Sequence, residues 1–279
     1  MSEKKTATKR KKKRKKYIIL LILLIIFFLF GMVLFAYPFV SRYYIEKNSQ
    51  SAISEFERER NEFIQSAGIE IPEKPQPVTN ANNEVISYID DEGVLFGEIP
   101  EEQIYLDELY QFMKNTNIRL YETKQENFKD SSSYTVSPID LTKYGVKSGV
   151  VGQIEIDKLK VTLPIFLGIN DENLAKGYGH LTETSYPIGG VNTSCVVAAH
   201  RGYGGADMLR YVENLVPGDV VKVTNFWYTM EYQVTEIKII EPDDVKTLLI
   251  QPGRDILILF TCHPYGINNQ RYLVYCERK

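Results

Sequence analysis

Cysteine is scarce in this sequence: Cys195, Cys262 and Cys276 are the only three in 279 residues. An exported domain that depends on disulfides usually carries an even set. The shortage argues against a disulfide scaffold. One reactive thiol with two buried apolar ones is the simplest reading, and a Cys195–Cys276 bridge is the competing arrangement. No internal repeat is visible either, which speaks against solenoids and arrays. The body also lacks an excess of positive charge. Residues 1–16 hold ten Lys and Arg against one acid, a net +9, so the other 263 residues carry −12. An acidic body with one basic end argues against a nucleic-acid binder, whose cations would lie on the folded face.

A long apolar run is present. Tyr17 to Tyr37 holds no charge over 21 residues. At 1.5 Å per residue a helix of that length spans roughly 30 Å, the thickness of a bilayer's hydrocarbon core. A cleaved signal peptide is the rival, but its apolar region would be about 7–15 residues with a small-residue cleavage site. The basic flank is expected to stay in the cytoplasm, leaving the C-terminal body outside a single-pass membrane anchor. The chain then divides into a basic tail (1–16), an anchor (17–37), a helical stalk, linker and lid candidate (38–148) and a β domain (149–279).

Residues 41–67 show helical spacing, and the three prolines of 68–83 read as a linker. Glu101–Asn115 is expected to be helical. From Gly149 the pattern turns to short strands: Val150–Ile156, Val161–Leu167, Ser194–Ala199, Val220–Thr224, Glu231–Ile239, Asp255–Phe260 and Arg271–Cys276. A helix is expected at Ala206–Asn214. Many short strands with few helices point to a β-barrel or sandwich. Asp243 and Asp244 precede a short helix and read as a cap, since a calcium site needs more acids nearby. No metal or other cofactor is expected.

Two of these strands run into reactive side chains. Ser194–Ala199 leads to His200, and Ile256–Thr261 leads to Cys262. A thiolate nucleophile and an imidazole that protonates a leaving amine are the minimum apparatus of thiol catalysis. A tight turn over 263–270 would bring Arg271 beside Cys262, where a permanent cation favours both thiolate and oxyanion. The peptide N–H of His263 is a second oxyanion donor on this reading. Thr261 and His263, flanking the nucleophile, are the candidates for substrate contact.

The segment Thr261-Cys-His-Pro-Tyr-Gly-Ile-Asn-Asn-Gln-Arg271 resembles the Thr-Cys-x-Pro-Tyr-Gly-x-Asn-x-x-Arg signature of class C sortases, the pilin-polymerising branch. Gly177–Leu181, Thr184–Gly190, Ala199–Gly202, Gly152–Ile156 and Leu163–Phe166 are similar to further blocks of that family, in its order. The resemblance implies a mainly β fold, a closed eight-stranded sortase barrel with short helices. It implies Cys262, His200 and Arg271 as the catalytic set of a cysteine transpeptidase. Such an enzyme cleaves a Leu-Pro-x-Thr-Gly-like sorting signal through a thioacyl intermediate and joins the product to an amine. That amine is a pilin lysine in class C enzymes and belongs to a cell-wall precursor in housekeeping ones. Residues 40–148 contain no Asp-Pro-aromatic tripeptide, which many class C lids carry. The sequence given ends at Lys279, without the C-terminal membrane segment of many class C enzymes. The rivals are a cysteine hydrolase on the same scaffold and a non-catalytic module that only binds sorting signals. An L,D-transpeptidase is set aside, because it keeps Cys and His a few residues apart and here they are 62 apart.

Overall fold

The basic block and the apolar run belong to one helix, α1 (Ser2–Ser66), in the computed structural model. Its mean hydropathy reaches 3.5 over 18 residues within Lys16–Ser66, with none of that window buried in the protein. The described residues are 2–67, 76–79, 85–89, 95–97, 106–126, 128, 135 and 139–279. Pro38 lies inside α1, so the anchor and the stalk expected over 41–67 are one element rather than two. The distal half of α1 packs on the β domain, with Phe56 fully buried and Ile64 2% exposed. Buried Glu59 accepts from the peptide N–H of Lys147 (2.7 Å) and from the N–H (3.1 Å) and hydroxyl (2.7 Å) of Ser148. Arg60 Nε donates to Phe226 O at 3.2 Å. These polar ties meet the rule that buried charges need partners, and they fix the helix against the domain.

Most of the linker expected over 68–83 lies outside the described residues. The described part, β1 (Gln76–Thr79), is a strand; it pairs with β2 (Val85–Ile89), which pairs with β3 (Leu95–Gly97). Of the helix expected over 101–115, residues 101–105 lie outside the described ones, and α2 (Asp107–Glu122) runs on past Asn115. Beyond Asn115, Asn117 is 5% exposed and exchanges hydrogen bonds with the backbone of Tyr186.

The β domain is built from β4 (Val150–Ile156), β5 (Val161–Leu167), β6 (Tyr178–His180), β7 (Thr193–Ala198), β8 (Val220–Asn225), β9 (Thr229–Ile240), β10 (Asp255–His263) and β11 (Gln270–Arg278). The hydrogen-bonded order is β9-β11-β10-β7-β6-β5-β4-β8, and β8 pairs again with β9. The eight strands therefore close into a barrel and leave no free edge. Gly152 is required at the β4–β8 seam, since a Cβ there would stand 2.6 Å from Thr224 O. Strand alternation sorts the core into two layers. Leu257 and Leu259 face the interior with Val197, Val274 and Trp227. Ile256 and Ile258 face outward into a second layer with Val196, Ala198, Leu248, Leu273 and Tyr275.

The helix expected at Ala206–Asn214 is absent. Only a 3-10 turn at Val212–Asn214 forms, while Leu209, Val212 and Leu215 are buried. Their three-residue spacing mimicked a helix. Left-handed Gly204, Gly205 and Met208 (φ 43°) force turns instead.

Candidate active site

Cys262 sits on β10 directly opposite Arg271 of β11. On its other side β10 runs parallel to β7, ending in the pair Phe260↔Ala198. Ala199 N then donates to Phe260 O at 3.1 Å, so the same offset carries His200 to the flank of Cys262. Partners across a ladder share a face and alternate residues switch face. Cys262 has the parity of Ile256 and Ile258, His200 that of Val196 and Ala198, and Arg271 that of Leu273 and Tyr275, all members of the outer layer. The three side chains therefore share the outer face of three adjacent strands at one rim. Cys262 is half-buried, whereas Cys195 (3% exposed) and Cys276 (fully buried) have interior parity. All three thiols are free, so no Cys195–Cys276 bridge forms, and burial raises the pKa of the two interior ones.

The remaining geometry comes from short local contacts. The His200 ring lies flat on Tyr203, with centroids 4.7 Å apart and planes 9° apart. Its carbonyl accepts from Leu209 N at 3.1 Å. Burial lowers the His200 pKa below its usual 6.5, and the charge of Asp171 in the single-turn α3 (Asp171–Leu174) acts against that. Arg271 Nη1 donates to Asn268 O (3.0 Å) and Gln270 O (2.9 Å), which ties its guanidinium to the turn it closes. Ile169, Leu174, Val245, Leu249 and Phe260, all partly buried against the outer layer, provide an apolar surround.

A family model described as Sortase domain matches residues 154–279. The crystal structure of sortase C from Clostridium perfringens SM101 is 31% identical and superposes with a TM-score of 0.52, covering 65% of this chain and 92% of that one. The chain belongs to the sortase family. Sortase C-1 from Streptococcus pneumoniae is 32% identical, with a TM-score of 0.50 over 60% of this chain and 90% of that one. Sortase D of Bacillus subtilis (strain 168) is 31% identical over 130 residues, 46% of this chain and 63% of its own. Sortase A of Streptococcus agalactiae is 28% identical over 154 residues, 50% of this chain and 62% of its own. The chain thus spans just under two thirds of the length of these curated relatives.

Behind the outer face of this sortase barrel lies a polar cluster that sequence reasoning missed. Arg201, with its side chain 3% exposed, pairs with Glu213 at 2.6 Å. Its Nη1 donates to His263 Nδ1 at 2.7 Å and reaches Cys262 O at 3.5 Å. Its guanidinium also lies over the Tyr272 ring, 5.6 Å from the centroid. His263 is 14% exposed and Thr261 2% exposed. Thr261 Oγ1 donates to Ala199 O at 2.8 Å. Both residues flank Cys262 along β10, so their side chains point to the opposite face. The expectation of substrate contact by these side chains is corrected accordingly. Thr261 fastens the end of β7 to β10, and His263 accepts a hydrogen bond from Arg201. The only early signal for Arg201 was its place after His200; its partner Glu213 is twelve residues away.

His180, His200 and His263 are the sortase's three histidines. His180 is 1% exposed, stacks on Tyr186 at 5.3 Å and donates from Nε2 to Ser185 O at 2.9 Å. Its role is structural. A cavity of about 800 Å³ is at the opposite rim, between α2 and residues 188–193, and is lined by Lys114, Asp255 and Arg278 among others. Within the lid candidate, residues 84–148, α2 belongs to that rim and buries Leu109 and Met113 in the core, so it does not cover Cys262. Residues 84, 90–94, 98–105, 127, 129–134 and 136–138 of that candidate lie outside the described ones. Among the described residues no cluster of three or more His, Cys, Asp or Glu is placed to hold a metal ion.

Proposed function

We propose that this sortase is a single-pass, membrane-anchored cysteine transpeptidase, with its N-terminus in the cytoplasm and residues 149–279 as an extracellular catalytic barrel. The observation that carries the reading is the three-strand juxtaposition of Cys262 with Arg271 and His200 on one half-open face. In this reaction the Cys262 thiolate attacks the Thr–Gly carbonyl of a sorting signal. Arg271 and the His263 peptide N–H stabilise the oxyanion. His200 gives its proton to the leaving glycine amine, and a thioester remains on Cys262. An incoming amine transfers its proton back to His200 and takes the acyl group, forming a new amide. One oxyanion donor of this kind contributes on the order of 3 kcal/mol to barrier lowering. The apolar surround of Phe260, Leu174 and Val245 suits the apolar residues of such a signal.

The sequence signature around Cys262 and the similarity to two sortase C structures favour the pilin-polymerising branch, with a pilin lysine as acceptor. The similarity to sortases D and A favours the second reading, in which the acceptor is a cell-wall precursor amine. Mass spectrometry of the products formed by the full chain from a sorting-signal peptide, with lysine-bearing and peptidoglycan-derived amines in competition, tests both. Thioester and amide products support transpeptidation and name the acceptor. Hydrolysis alone makes the chain a protease, and no cleavage at all makes it a binding module.

A further inference from the structure

We propose that the barrel rim carrying His200 and Cys262 docks on the outer surface of the membrane that α1 crosses, through an aromatic and basic belt of Tyr203, Arg210, Tyr211, Tyr265 and Ile267. The inference goes beyond the catalytic assignment and rests on the membrane reading of α1.

The order of contacts along α1 sets the height of each rim. The apolar run ends at Tyr37, and the loop after His200 meets α1 at once. A Cβ on Gly204 would strike Ile45 and come within 2.6 Å of Ser41 Oγ, and one on Gly205 would stand 2.6 Å from Pro38 O. Arg42 Nη2 lies 3.6 Å from Asp207. Tyr203, the residue stacked on His200, shares a cleft of about 460 Å³ with Tyr37, Val40, Ser41, Tyr44 and Ile45. At 1.5 Å per residue these contacts fall within about 12 Å of the end of the apolar run. Farther along, Ser49 bonds Lys176 O, and Arg60 holds Phe226 O. Arg60 is about 35 Å up the helix from Tyr37 by the same rise. The barrel therefore lies alongside α1 with the His200 end lowest. Because β7 and β10 are parallel, both reactive strand ends arrive at that low rim.

The surface there has the composition that interfaces of lipid and water favour. Tyr203 is 42% exposed, Tyr211 50%, Tyr265 51% and Ile267 68%. Arg210 lies over two of these rings, 4.9 Å from Tyr265 and 5.9 Å from Tyr211. Amphipathic rings settle at the headgroup level, and cations are drawn to anionic lipid. The opposite rim also exposes apolar groups, Ile118 and Val191 among them, but it stands too high on α1 to reach the bilayer.

The test uses the full chain carrying Cys262→Ala, with Ile267→Cys at the low rim or Val191→Cys at the high rim, each labelled with an environment-sensitive fluorophore. The chain is reconstituted in liposomes of phosphatidylcholine with a minor share of phosphatidylglycerol, some bearing spin-labelled headgroups. Quenching several-fold greater at 267 than at 191 is the expected result. Co-flotation with the liposomes and equal quenching at the two positions would overturn the docking while leaving the anchor intact. Failure to co-float would remove the anchor and the docking together. Neither result bears on the chemistry assigned to Cys262.

Discussion

Replacing Thr261 with Val isolates the contribution of one buried hydroxyl to both stability and catalysis. Thr261 is 2% exposed and its hydroxyl donates to Ala199 O at 2.8 Å, joining β10 to the chain just before His200. Val fills the same volume, so no cavity opens, but the Ala199 carbonyl loses this donor away from water. A buried acceptor left unsatisfied costs about 1–3 kcal/mol. Taking 2 kcal/mol and an m-value of about 2 kcal/mol/M, the urea midpoint falls by about 1 M. The same change frees the segment that sets His200 beside Cys262, so turnover should fall more than stability alone explains at low temperature, where the chain stays folded. Thr261→Ser keeps the oxygen and should recover most of both losses. The assays are urea denaturation of the detergent-solubilised chain and thioester formation with a sorting-signal peptide. If Val matches the wild type in midpoint and turnover, the strand-fastening argument fails.

Cys262→Ala should abolish thioester formation with an unchanged urea midpoint; mass spectrometry of the peptide-treated protein checks this, and any acyl adduct on the variant refutes the nucleophile assignment. Arg271→Lys keeps the charge but loses the planar fork that binds two turn carbonyls and faces Cys262. Turnover should drop by about 100-fold, in line with loss of one oxyanion donor, and near-normal turnover would leave Arg271 with a structural role only. His180 offers a pH test. Burial lowers its pKa to about 4 from 6.5, so the unfolded chain binds a proton that the folded chain refuses between those values. Its contribution is therefore fully present above pH 6.5 and is lost as pH falls toward about 4. At 1.36 kcal/mol per unit the loss by pH 5 is about 2 kcal/mol, and His180→Gln should flatten that part of the urea-stability profile.

The barrel strands were legible where alternation was strict and turns were rich in glycine and proline. β4 and β5 fall where Val150–Ile156 and Val161–Leu167 were expected. β10 was expected to stop at Phe260 but continues to His263, which puts Cys262 inside a ladder rather than beyond its end. β6 escaped because Tyr178-Gly-His180 is too short to show a period. The pair Cys262 and Arg271 could be placed from the turn between them. The position of His200 could not, since a parallel neighbour 62 residues away leaves no local mark. Arg201 is the plainest omission: an interior cation shows itself only once Glu213, His263 and Tyr272 are gathered by the fold.

The unequal exposure of the three thiols has a practical consequence. Cys195 and Cys276 face the barrel interior and stay protonated, while Cys262 alone opens toward solvent. A mild sulfhydryl dye should thus count one equivalent per native chain and three after denaturation. The first number counts chains with an open Cys262, and the second, followed in time, clocks how often the barrel opens.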